Sequence, residues 1–134
     1  MKEDIQFLPV EGVAVAITKE ANALNEAIWN TYLINRNKKP LENVFVRSKG
    51  YGEQQGKKQE TSVLRHHFPT IEQGAITLIE PIDPALFPLS NEYWVSYYIG
   101  RQIYDKKFIF PPESIIEENF IQIPELKIPG ILHV

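Results

Sequence analysis

YWVSYYIGRQIYDKKFIF, residues 93–110, holds two apolar-alternating runs joined by Gly100-Arg101. A two-residue connection with glycine first suits a type II′ turn, whose twist matches that of paired antiparallel strands. The segment is therefore predicted to be a β-hairpin of Tyr93–Ile99 and Gln102–Phe110. In its first arm Tyr93, Val95, Tyr97 and Ile99 occupy one face and Trp94, Ser96 and Tyr98 the other. A sheet that meets water on one side carries polar residues there. This strand instead has large aromatic groups on both faces, so the second face is expected to be covered, by chain or by partner.

Outward from the hairpin, the same period-2 pattern recurs in five further runs: 12–18, 27–35, 43–48, 61–68 and 75–80. The run at 27–35 also carries apolar residues on both faces: Ile28, Tyr32 and Ile34 against Trp29 and Leu33. Good helix formers in ANALNEA predict a short helix near residues 21–27. Ser114 with Glu117 fits a capping box and predicts another over 114–119. About seven short strands with no long helix between them suggest an all-β, two-sheet sandwich with Greek-key connections.

One stretch strengthens that expectation. LFPLSNEYWVSYYI, residues 86–99, resembles the corner before the sixth strand of fibronectin type III and other immunoglobulin-like domains. Leu86, Pro88, Ser90, Tyr93, Val95 and Tyr97 supply the matching types, with the tyrosine one residue later than usual. The resemblance implies an immunoglobulin/fibronectin III-like β-sandwich in which Trp29 takes the place of the core tryptophan. Such a fold hosts many unrelated functions.

The 134-residue chain has the size of one domain, read as a sandwich core over 12–110 and an extended C-terminal arm over 111–134. Phe120, Ile121, Ile123, Leu126, Ile128, Ile131 and Leu132 make that arm too apolar for a free end, while Pro124 and Pro129 prevent a continuous helix. It is expected to pack across a sheet, either its own or a neighbour's. A net charge of −3 argues against nucleic acid as a partner. The absence of cysteine removes disulfides, thiolate chemistry and Cys-based metal sites. No run of about 18 apolar residues predicts a membrane span, and the acidic N-terminus lacks the apolar core of a signal peptide, so a cytoplasmic location is expected.

No segment carries a recognisable catalytic or cofactor motif, and no cofactor is expected. SKGYGEQQGKKQETS, residues 48–62, is rich in glycine but has neither the spacing nor the following Lys-Ser/Thr of a phosphate loop. It is read as a long solvated loop, with a binding role for Arg47, Lys49, Lys57 and Lys58 toward an anionic partner as the alternative. His66 and His67 are adjacent, so on a strand they point to opposite faces and do not share a metal readily. One half-buried and one exposed imidazole are expected. Glu80 and Asp83 are read as turn carboxylates among prolines in preference to an acid–base pair.

The leading expectation is a non-catalytic protein-binding or scaffolding module whose contact surface comprises Trp94, Tyr98, Arg101 and Tyr104, since Trp, Tyr and Arg dominate interface energetics. The alternatives are a small metal-dependent hydrolase using His66 or His67 and a homo-oligomer subunit assembled through the arm.

Overall fold

A computed structural model describes residues 8–134 of the chain; most of the acidic N-terminal segment lies outside the described residues. Ten strands are present among them: β1 (Val13–Ala21), β2 (Ala27–Asn35), β3 (Leu41–Gln54), β4 (Lys57–Glu60), β5 (Leu64–Ile71), β6 (Ile76–Pro81), β7 (Ser90–Ile99), β8 (Gln102–Phe110), β9 (Ile121–Ile123) and β10 (Ile128–His133). They form two sheets. The first has the order β6-β2-β1-β10-β9; in the second, β3 lies between β7, which pairs on with β8, and the successive strands β4 and β5. No helix among the described residues is long and apolar enough to cross a membrane.

The inward faces of the two sheets make the main core. Val13, Val15, Ile17 and Leu33 from one sheet meet Val44, Val46, Tyr93, Val95, Tyr97, Phe108 and Phe110 from the other. Each large side chain so buried contributes roughly 1.5–3 kcal/mol. Trp29 is half-buried at one end of this core, edge-on to Phe87 at 4.9 Å and to Phe120 at 5.9 Å.

The β7–β8 hairpin forms as the turn chemistry predicts, with Ile99 paired to Gln102 and positive φ at Gly100 but not at Arg101. The corner before β7 is held differently from a tyrosine corner. Asn91 donates from Nδ2 to the carbonyls of Leu86 and Leu89, while the Tyr93 hydroxyl crosses to Thr31 Oγ1 at 2.9 Å.

Three expectations are corrected. Residues 21–27 are not helical: β1 runs to Ala21, and Asn22 Oδ1 accepts from the amides of Leu24 and Glu26, closing a tight turn with Asn25 at φ 60°. This Asx geometry satisfies the backbone locally, so the helix propensity of ANALNEA is overridden and Leu24 stays in solvent. At 114–119 only a single 3₁₀ turn forms, over Glu117–Asn119, and Ser114 Oγ donates to the Pro111 carbonyl, leaving the capping box unmade. The glycine-rich stretch is mostly strand. β3 continues to Gln54, and Gln55 and Gly56, both with positive φ, reverse the chain into β4 as a type I′ turn requires.

The tail after β8 folds as the β9–β10 hairpin, with β10 antiparallel to β1 from Thr18↔Gly130 to Val15↔His133. The ladder to β1 starts just after Pro129, which has no amide to donate. On the outer side of this sheet Ile123 and Leu126 pack over Ala14, Ala16 and Ile34, and the Arg36–Glu125 ion pair closes over the end of β2. Of the second face of β2, Ile34 is thus covered by the tail, while Ile28 and Tyr32 stay half-buried.

Candidate functional site

Among the described residues the outer face of the β3-β7-β8 layer has no such cover. Antiparallel register sets Arg47 of β3 and Lys107 of β8 directly on either side of Trp94 in β7. The Arg47 guanidinium lies 5.2 Å and the Lys107 ammonium 4.6 Å from the indole centroid. Cations at this distance are attracted by the ring quadrupole. The indole Nε1 donates to Asp105 Oδ1, which fixes the ring plane. Half-buried Trp94 is consequently a braced platform and not a free side chain.

The face continues beyond this trio. Phe45, 51% exposed, stacks on His67 at 4.5 Å, and Tyr98 and Ile109 stand 38% and 37% exposed. Lys49 lies over the Tyr51 ring at 5.3 Å on the same strand as Arg47. Ion pairs among the described residues join Lys19 to Glu117 and Arg36 to Glu125, and His66 hydrogen-bonds to Glu80, so Arg47, Lys49 and Lys107 have no carboxylate partner there. A chain with net charge −3 therefore presents a face that is aromatic and locally cationic.

Of the residues expected at the contact surface, Trp94 and Tyr98 share this face, and Arg101 is exposed at the tip of the hairpin. Tyr104 does not join them. It lies opposite Tyr97, stacks on it at 5.2 Å and packs against the main core. Arg47 and Lys49, expected in a loop, belong to the Trp94 face, while Lys57 and Lys58 sit apart in the exposed β4 arm of the hairpin. Phe45, Asp105 and Lys107 were not singled out from sequence.

The histidines diverge as strand geometry requires: His67 is exposed on the outer face, and half-buried His66 turns inward to Glu80 Oε1 at 2.8 Å. Among the described residues no group of three His, Asp or Glu is gathered to hold a metal. Asp83 accepts from the Ala85 amide and caps a 3₁₀ turn at Pro84–Leu86, whereas Glu80 lies inside the sandwich, accepting also from Ser48 Oγ at 2.6 Å. The two carboxylates do not form a pair. Burial together with the nearby Glu80 charge holds the Tyr93 phenol far above its ordinary range, so it acts only as a neutral hydrogen-bonding group. No protein-family model matches the chain, and no curated protein is significantly similar to it.

Proposed function

We propose that the protein is a non-catalytic binding module of immunoglobulin-like type that receives an acidic protein segment on the outer face of β3, β7 and β8. The supporting observation is the Arg47–Trp94–Lys107 trio, in which two cations with no carboxylate partner among the described residues flank a braced indole on an uncovered sheet. Large aromatic side chains and arginine carry most interface energy, and unpaired cations select and steer an anionic partner. Tyr98 and Phe45 supply apolar area beside the trio, toward the β7–β8 turn. The fibronectin III-like assignment draws support from strand order. Taking β1, β2, β3, β6, β7 and β8 as strands A, B, C, E, F and G, the sheets read E-B-A and C-F-G, with β5 beside β3 as a C′ strand.

The test is a titration of the full chain with a fluorescein-labelled Glu-rich peptide containing one tyrosine, followed by anisotropy. Saturable binding that weakens with salt, and that falls roughly tenfold or more in Arg47→Ala and in Lys107→Ala, is expected. Equal binding of a Lys-rich control peptide, or no response to either substitution, overturns the proposal.

A further inference from the structure

A second site lies inside the lateral seam of the sandwich, where β5 faces β6, and it stands independently of the outer face. Two bulges meet there. In β6 the partner of Thr31 is Glu80 and that of Tyr32 is Leu78, so Ile79 is an extra residue. Ile79 is buried, and Glu80 follows it inward instead of alternating out to solvent. Across the seam, Tyr51 faces Glu60 in β4, but three residues back along β3 Ser48 faces Leu64 in β5 where unbroken pairing would place Val63. One residue is again extra. Thr61 Oγ1 accepts from the Gly50 amide, and the edge strand parts from β3 at this point. Bulges commonly re-aim a side chain or end pairing beside a functional site.

The result is a cavity of about 240 Å³ walled by Ser48, Leu64, Glu80, Ile82, Leu86 and Glu92. It lies just below the roughly 300–1,000 Å³ of ordinary ligand pockets, so its occupant is small. Its electrostatics are unbalanced. The Glu80 side chain is only 11% exposed, and both of its donors, Ser48 and His66, engage Oε1. Among the described residues, Oε2 accepts nothing. Glu92, 6% exposed, turns to the opposite face of β7, where it accepts from the Tyr51 hydroxyl at 3.3 Å, so Glu80 is the carboxylate that faces the cavity. Among the described residues no lysine or arginine forms an ion pair with Glu80. A buried carboxylate with one oxygen left without a donor calls for a cationic partner.

We propose that this cavity binds an ammonium group carried on a short apolar body, with Glu80 as its principal anionic partner. An ammonium presents three donors and no acceptor, which suits the Glu80 oxygen that accepts nothing among the described residues. Leu64, Ile82 and Leu86 give the apolar body its lining. A hard metal ion is a poorer fit, because it needs six or more oxygen ligands and no group of three His, Asp or Glu is gathered there among the described residues. The ammonium comes either from a free small amine or from a lysine side chain of a protein.

Amide-resolved NMR of the full chain distinguishes these sources and tests the site. n-Butylammonium and Nα-acetyl-lysine methylamide are titrated separately, with n-butanol as the neutral isostere. Saturable shifts at Ser48, Gly50, Thr61, Ser62 and Leu64, absent with n-butanol, are expected. A response to n-butylammonium alone assigns the site to free amines, and a response to the lysine derivative assigns it to protein side chains. Glu80→Gln is expected to weaken binding roughly tenfold or more. Should that variant unfold, Leu64→Trp, placed at a half-exposed position, is expected to fill the mouth and abolish the shifts. Shifts that do not saturate, that n-butanol reproduces, or that persist in Leu64→Trp overturn the proposal.

Discussion

Arg47 and Trp94 stand directly opposite each other on β3 and β7, with the guanidinium 5.2 Å from the indole centroid. The pairing couples a residue of the third strand to one of the seventh, and Lys107 completes it from the eighth. Because neither cation forms an ion pair among the described residues, their charge is left for whatever approaches the sheet.

Replacing Trp94 and Tyr98 together by alanine separates a docking face from a core. Neither side chain is part of the inter-sheet core. The double variant is expected to remain folded and monodisperse, losing about 1–3 kcal/mol of stability, and to lose binding of the acidic peptide. Urea unfolding with light scattering checks this; collapse of the fold places the pair in a structural role instead.

Two buried tyrosines predict opposite outcomes. The Tyr93 hydroxyl is bonded to buried Thr31 Oγ1 at 2.9 Å, and Tyr93→Phe leaves that threonine oxygen unpaired in the core. A loss of about 1–3 kcal/mol is expected. The Tyr97 hydroxyl is buried with no partner among the described residues, so Tyr97→Phe removes an uncompensated polar atom. It is expected to be neutral or to stabilise by up to about 1 kcal/mol. Parallel thermal melts of the two phenylalanine variants decide the matter.

The legible part of the fold was the part that alternates. The run at 27–35 and the 93–110 hairpin stand where the pattern put them, because each buries one face in the core. β4, KKQE, is exposed throughout and leaves no hydrophobic trace, and the end of β3 beside it is only half-buried, so neither shows as a strand in the apolar pattern. Turn chemistry held more than was drawn from it. A two-residue turn that pairs Ile99 with Gln102 also pairs Tyr97 with Tyr104, which sends Tyr104 to the inner face. By contrast, Lys107 became part of the site only through β7–β8 register, and Arg47 through β3–β7 pairing across more than forty residues of chain. Glu80 turned inward because of a bulge, which period-2 counting does not show.

Gly130 tests how closely the tail must approach β1. A Cβ built there would lie 2.6 Å from the Ile17 carbonyl oxygen and 2.9 Å from Ile123 Cδ1. The first of these contacts is backbone and has no rotamer to escape into. Gly130→Ala is expected to cost about 1–3 kcal/mol and to raise amide exchange along β9 and β10 before the rest of the sandwich. Unchanged stability means that β10 sits farther from β1 than its register implies.

Glu20 carries the pH dependence. Burial alone would raise its pKa, but donors from Asn30, Tyr32 and Thr18 all converge on Oε2 and together hold it below the usual glutamate value. Its own burial, and then the same contact with Glu20, push the Tyr32 phenol up to about 12. A carboxyl whose folded-state pKa is depressed favours the folded state above its unfolded value, and that contribution fades as pH falls through the folded value. Glu20→Gln should therefore be less stable than the parent at pH 7, with the gap narrowing as the pH is lowered below about 4.3. The Tyr32 phenol stays neutral throughout that range, so it does not blur the comparison. Denaturant midpoints of both proteins from pH 7 to pH 3 measure the gap, and a difference that stays constant across the range removes Glu20 as its source.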